Sequence, residues 1–370
     1  MSTREEYLNT IKKNTTKPVP YFFCLCKAVQ RKFVNKYGNI DYKQYYNIPF
    51  REIFLRPTRL NVLERFDKYL SSRTIEGTIT EWGIELKKSS VEHFTHMIGP
   101  LTDATRIEEI NELPLPDFLE QYRWDGVKEE ISALKEKDLI TMCGIYGGNE
   151  TGDNALTVPA FMDIFESSWY LRGLDNMLMD FYEDEDFLVA LLDKITDLKV
   201  ELARKWTVAG IDVLITADDV GSQVGMMISP AMYRKFIKPR LKRVIDAAKS
   251  INKDVLIFYH SDGNIEDIIP DLIEVGVEIL NPIQPECMDA KKIITKYIDQ
   301  LSFWGTIGTQ TTLPFGSTDD VENYCEDILR HVEKTGGLVL APTHLVEPEV
   351  PLENIEAFVN AVKKFNNENI

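Results

Sequence analysis

No stretch of this 370-residue chain approaches the roughly 18 consecutive apolar residues of a membrane span. The opening MSTREEYLNTIKKNTTK is polar and mixed in charge, without the apolar core of a signal peptide. These absences make the cytoplasm the expected compartment. Cysteine is scarce too: Cys24, Cys26, Cys143, Cys287 and Cys325 form an odd set with no C-x-x-C spacing, so reduced thiols are expected rather than a disulfide framework or a zinc ribbon. A surplus of positive charge is also missing. With 42 Lys and Arg against 59 Asp and Glu, the net charge is −17 and is spread along the chain, which repels nucleic-acid phosphates and anionic lipids. Nucleic acid and membrane are therefore not expected partners. There is no internal repeat and no low-complexity tract.

What the chain does have is core material, 44% hydrophobic residues against 27% charged, as in an ordinary globular domain. Eight short apolar or β-branched runs alternate with helical patterns: Pro20–Cys26, Thr78–Gly83, Leu139–Ile145, Asp212–Ala217, Val255–Tyr259, Val277–Asn281, Leu301–Trp304 and Leu338–Ala341. Eight strands with crossover helices predict an α/β fold, a single (β/α)8 TIM barrel over residues 1–370 with an N-terminal helical extension at 1–17. Amphipathic patterns predict helices over 159–178, 183–209 and 230–251, the last with Ser229 as N-cap and Pro230 at the first helical position. Gly210, Gly276 and Gly336–Gly337 stand between a helix and the next strand, where a C-cap needs positive φ. The stretch from Gly99 to Pro116 lengthens the second crossover and reads as a flap beside the barrel.

In such barrels chemistry sits on the loops that follow the strands, so the reactive side chains just past each predicted strand end are the candidates. They are Lys27, Glu81, Tyr146 with Asn149, Asp218 with Asp219 and Gln223, His260 with Asp262, Gln284 with Cys287, Gln310, and His344. Two of only five histidines thus occupy equivalent places on different strands, which is the strongest physical pointer to a site. Each candidate also has a structural reading. One of Asp218 and Asp219 is as well explained by capping as by catalysis. Asp262 reads first as the cap of a helix starting at Ile265, with Asn264 as the alternative cap. His93, His96 and His331 read as surface or packing residues, Cys24, Cys143 and Cys325 as small apolar fillers, and Cys287 as a thiol disfavoured by Glu286. Two histidines plus carboxylates offer the nitrogen and oxygen ligands zinc accepts. Alternatively, His260 and His344 act as acid, base or hydrogen-bond donors.

The blocks DDVGSQVGMMISPAMYRKFIKPRLKRVID (218–246), FYHSDGNIEDIIPDLIEVGVEILNPIQPE (258–286), FWGTIGTQTTLPFGSTDDV (303–321) and LAPTHLVEPEVPLENIEAFVNAV (340–362) resemble, in order, the uroporphyrinogen decarboxylase superfamily. The similarity runs from about Lys17 to Lys364 and implies a (β/α)8 barrel, in agreement with the strand count. True porphyrinogen decarboxylases carry Arg-Gln-Ala-Gly-Arg after the first strand to hold the substrate's carboxylates. Here CLCKAVQRKF (24–33) lacks that motif, so the resemblance leans to the corrinoid-linked methyltransferase branch. His344 matches a histidine near the last strand of many decarboxylases, and Glu81 stands where they place an aspartate.

The coenzyme M methyltransferases of this superfamily hold zinc with a His-x-Cys after strand five and a Cys after strand eight. This chain has His260-Ser261-Asp262 and His344 instead. A set of His260, His344 and a carboxylate, Glu81, favours an oxygen substrate over a soft thiolate. The resemblance therefore implies a methyltransferase that passes a methyl group between a methoxylated or methylated small molecule and a corrinoid (cobalamin) protein. Its catalytic set is Glu81, Asp219, His260 and His344, its substrate contacts Tyr146, Asn149, Gln223, Gln284 and Gln310. The implied cofactors are zinc and the partner's corrinoid. The implied partners are a small-molecule methyl donor, that corrinoid protein and a second copy in a homodimer. The alternatives are a decarboxylase of a small acid and a non-catalytic small-molecule-binding barrel.

Overall fold

The computed structural model describes residues 2–71, 73–88, 95–143 and 162–368. Seven strands follow one another in a single parallel path: Phe50–Ile53, Ile140–Cys143, Val213–Ala217, Leu256–His260, Ile279–Asn281, Ser302–Trp304 and Leu338–Val339. Residues 20–26 make the eighth run. Tyr21 and Leu25 bridge Leu340 and Val346 in parallel, so the first run lies beside the last and the sheet curls on itself as a TIM barrel. Across the remaining seam, the Phe22 and Phe50 rings meet at 5.9 Å and the Cys24 thiol lies 3.7 Å from the Glu52 carboxylate.

The strands Ile140–Cys143 and Val213–Ala217 are buried at every position, as parallel strands are when helices cover one side and the barrel interior the other. Inside, Trp304 packs against Phe22, Phe50 and Phe258 with ring centroids 5.2, 4.5 and 5.2 Å away. This aromatic plug fills the lumen, as barrel interiors require.

Two sequence expectations change. Thr78–Gly83 is not a barrel strand: Thr78–Ile79, Glu85–Lys88 and Thr95–Ile98 form a separate antiparallel three-stranded sheet. The turn between the first two closes on the Thr80 hydroxyl, with Gly83 at φ +76° and Trp82 buried. The second barrel strand is Phe50–Ile53 (FREI), whose Arg and Glu hid it from a search for apolar runs. Nor is the 99–116 segment a free flap. Its helix Ile107–Glu112 packs on the long helix Glu185–Ala209, where Lys194 donates to the Ile110 carbonyl at 2.8 Å.

The expected punctuation holds elsewhere. The long helix stops at Gly210 (φ +96°), and the helix Ile269–Val275 at Gly276 (φ +101°), a conformation costly for any residue with a Cβ. Ser229 caps the helical segment that opens at Pro230 by accepting from the Met232 amide at 3.2 Å. The N-terminal helix Thr3–Ile11 sits under the strand starts, where Arg4 pairs with Asp212. No helix among the described residues is long and apolar enough to cross a membrane.

Candidate functional site

Phe258 belongs to the aromatic plug, and alternation along a strand puts His260 on the same inward face one layer higher, at the floor of the C-terminal mouth. Its ring is held from the neighbouring strand. The Asn281 side-chain nitrogen donates to the Trp304 carbonyl at 2.7 Å, which turns the Asn281 oxygen toward His260 Nδ1 at 2.6 Å. Nδ1–H is then the donor, and Nε2 faces the mouth, 3.6 Å from Asp219 Oδ1.

The adjacent acids after the fourth strand divide the two roles that sequence left open between them. Fully buried Asp218 turns away from the mouth and accepts the amides of Ile164, Phe165 and Glu166 at 2.8, 2.6 and 3.1 Å. It thereby caps the helix Phe165–Arg172, about fifty residues upstream, and satisfies three of that helix's orphan donors. Asp219 faces His260 and accepts the Asp262 amide at 2.8 Å. Asp219, His260 and Asp262 each offer a ligand atom, all within 4.8 Å of one another.

Asp262 is not the helix cap that was its first reading. Asn264 closes the turn before the helical segment instead, accepting from the Glu266 amide at 3.1 Å, while Asp262 Oδ1 is buried without a hydrogen-bond partner. Burial raises the Asp262 pKa although His260 and His344 pull the other way. Burial by itself would lower the His260 pKa, but the carboxylates of Asp262 and Asp219 prevail and raise it. Glu166, fixed beside this group by the Asp218 cap, is pushed up to about 8 by burial and by the like charges of Asp219 and Asp163; its carboxylate also receives the Tyr170 hydroxyl. An orphaned buried oxygen, a histidine with an outward nitrogen and a second carboxylate make a donor set that suits a hard or borderline dication such as zinc.

The other sequence candidates scatter. His344 is exposed on the loop after the last strand and acts electrostatically on Asp262, so it shares the mouth. Glu81 does not sit where the barrel-strand assignment had put it. In its hairpin turn it forms a buried ion pair with Arg123 at 2.7 Å, and Arg123 also holds Asp117 at 2.6 Å. Buried Gln284 ties down the loop after the fifth strand by accepting the Gly263 amide at 2.6 Å. Gln223 and Gln310 are exposed on mouth loops, and exposed Lys27 opens the helix Lys27–Tyr37. Tyr146 and Asn149 lie outside the described residues. Sequence reading missed Glu166, in the first turn of the helix Phe165–Arg172 that follows the two-residue strand Met162–Asp163, and Glu52, which shares a strand face with Phe50 and is paired with Lys43 at 3.2 Å. Glu52 was findable only by recognising FREI as a strand.

The profile of the uroporphyrinogen decarboxylase (URO-D) family matches residues 93–365, and the chain belongs to that family. Methylcobamide:CoM methyltransferase MtaA of Methanosarcina barkeri is 28% identical over 251 residues, 66% of this chain and 65% of that protein. The chain thus spans slightly under two thirds of that relative. Uroporphyrinogen decarboxylase of Coxiella burnetii is 24% identical over 287 residues, 75% of this chain and 73% of that protein. A solved methyltransferase from Methanosarcina mazei shares the fold with a TM-score of 0.68 at 21% identity, over 99% of both chains.

Proposed function

We propose that this protein is a methyltransferase that removes a methyl group from a methoxylated or methylated small molecule and passes it to a corrinoid carried by a partner protein. The likeness to a methylcobamide-dependent relative supports methyl transfer. The observation that carries the choice of an oxygen-bound methyl group is the Asp219–His260–Asp262 group, which contains no thiolate. These three residues, with His344 at the rim, are the set that would hold zinc; Glu81, engaged by Arg123, is not needed for it. Bound there, the metal would supply Lewis-acid stabilisation to an oxygen that gains negative charge as its bond to methyl breaks.

The chain's own residues do the positioning. Asn281 sets the His260 tautomer and keeps Nε2 turned to the mouth. The Asp219 bond to the Asp262 amide joins the loops after the fourth and fifth strands, and Gln284 pins the second from the other side. The aromatic plug fills the lumen below, which leaves the mouth as the side from which substrate would approach.

The test is metal analysis of the purified protein followed by assay of methyl transfer from 2-methoxyphenol to a cobalt(I) corrinoid. One bound dication per chain, lost in His260→Ala and Asp262→Ala, together with methyl transfer is the expected result. Release of carbon dioxide from a small acid without methyl transfer would replace this reading with decarboxylation.

A further inference from the structure

The loops that carry the two carboxylates of the site meet backbone to backbone. After Asp219 the chain doubles back in a tight hairpin: Gly221 bridges Met226 in antiparallel fashion, the Ser222 amide donates to the Gly225 carbonyl at 2.7 Å, and the Met227 amide to the Val220 carbonyl at 2.8 Å. One flank of this hairpin lies on the turn 262–264. A methyl group on Gly221 would stand 2.7 Å from the Asp262 carbonyl oxygen, and one on Gly263 would stand 2.6 Å from the Gly221 carbonyl carbon and 2.8 Å from the Ser222 nitrogen. Side chains do not come so close to backbone, so only glycine fits on either side of the contact. Gly263 also has φ +83°, whereas Gly221 is outside the left-handed region, so at Gly221 space alone excludes a side chain.

Hydrogen bonds fix this contact on both sides. Three successive amides of the turn each donate to a different segment: Asp262 to the Asp219 carboxylate at 2.8 Å, Gly263 to the Gln284 side chain at 2.6 Å, and Asn264 to the Ser222 carbonyl at 2.8 Å. On the strand side the Asp218 amide donates to the His260 carbonyl at 2.9 Å. The hairpin and the turn are thus bonded on either side of the place where the glycines touch, and the missing side chains set how near they come. Gly221 stands two residues after Asp219, and Asp262 owns the carbonyl that Gly221 faces. The spacing of the two loops is therefore the spacing of the two carboxylates.

We propose that Gly221 and Gly263 are positioning residues for the metal: their contact holds Asp219 and Asp262 at the separation a small dication needs, so the site is set before the ion arrives. The inference rests on the reading of Asp219, His260 and Asp262 as the set that holds zinc, and adds to it what fixes their spacing. A side chain at Gly221 pushes the Asp262 backbone away from the hairpin and widens the gap between the carboxylates. A wider gap harms a small ion more than a large one, because every ligand atom must reach a set distance from the metal.

Calorimetric titration of the metal-stripped protein with zinc, and separately with the larger, oxygen-preferring manganese ion, tests this. Gly221→Ala should lower zinc affinity by about 10–100-fold and manganese affinity by clearly less, so that the preference for zinc over manganese shrinks. Gly225→Ala, at the far end of the hairpin where an added methyl group meets nothing within 4 Å, should leave both affinities as in the parent. An unchanged zinc-to-manganese ratio in folded Gly221→Ala overturns the positioning inference and leaves the zinc site standing, because a merely structural glycine affects both ions alike. Should Gly221→Ala not fold, Gln284→Ala puts the same question without adding bulk: it frees the Gly263 amide and lets the turn drift, so the ratio should shrink there too, and an unchanged ratio overturns the inference. A parent protein that binds neither ion overturns the zinc reading, and the positioning role falls with it.

Discussion

Glu81, which is buried, and Asp262, which is half-buried with Oδ1 out of solvent, both sit on turns, yet their surroundings differ. Around Glu81 the carboxylate oxygens are bonded: Arg123 bonds Glu81 and Asp117, Asp117 also takes the Tyr122 hydroxyl, and the guanidinium lies over the Phe118 ring at 5.1 Å. Around Asp262 they are not: two carboxylates share one histidine, and one oxygen has no partner. Burying a charge is costly in either place. The fold offsets that cost with an arginine in the first case and leaves it open in the second. An acid with an unpartnered oxygen beside a histidine at the mouth, rather than a buried acid as such, marks the candidate site.

The largest effect expected from breaking this contrast is on stability. Arg123→Leu strands two buried carboxylates and should cost about 3–5 kcal/mol in urea unfolding, with zinc uptake by the folded fraction unchanged. A loss of zinc uptake in the folded fraction would tie the two clusters together functionally. Asp262→Ala should do the reverse. It should lower zinc affinity by at least about 10–100-fold, read by calorimetry, while the unfolding midpoint of the metal-free protein stays the same or rises because an unmatched charge has gone. A clear fall in that midpoint would return Asp262 to a structural role.

A third expectation concerns pH. The Glu166 carboxyl stands at about 8 in the folded protein against an ordinary 4.5. Between those values the folded state keeps a proton that the unfolded chain has lost, so this group makes stability fall as pH rises from about 4.5 to 8. Glu166→Gln in metal-free protein should flatten that decline in unfolding curves taken at pH 5 and 8. An unchanged slope would assign it to other groups, with Asp218 the first to examine because burial raises its pKa well above the usual carboxylate range. The smallest effect belongs to the Asn264 turn beside the site. Asn264→Ala removes one side-chain to backbone hydrogen bond, should cost about 1 kcal/mol and leave zinc affinity within about twofold, and a larger change in affinity would show that this turn after the fifth strand positions Asp262.

Much of the architecture was legible because it is local. Short apolar or β-branched runs and helical patterns predicted seven of the barrel strands at their observed places. Ser229 with Pro230, Gly210 and Gly276 marked helix ends through backbone preferences that hold in any context. The second strand was missed for a related reason: FREI puts a glutamate on the face it shares with the Phe50 ring, and only a folded barrel can supply the lysine that makes such a residue tolerable inside. TITEWG looked like a strand because β-branching favours extended backbone, which a hairpin satisfies as well as a barrel does.

At the site, the sequence by itself determined that His260 and Asp262 lie two residues apart at a strand end and that no cysteine stands between or beside them. Both are properties of spacing and composition. Only the tertiary structure decided which of two neighbouring aspartates faces His260, because the choice depends on a helix start at Ile164–Glu166 that claims Asp218 from about fifty residues away. It likewise assigned Glu81 to Arg123 and brought Glu166 to the mouth. Whether a buried charge meets a partner is settled by groups distant in sequence, and no local pattern records them.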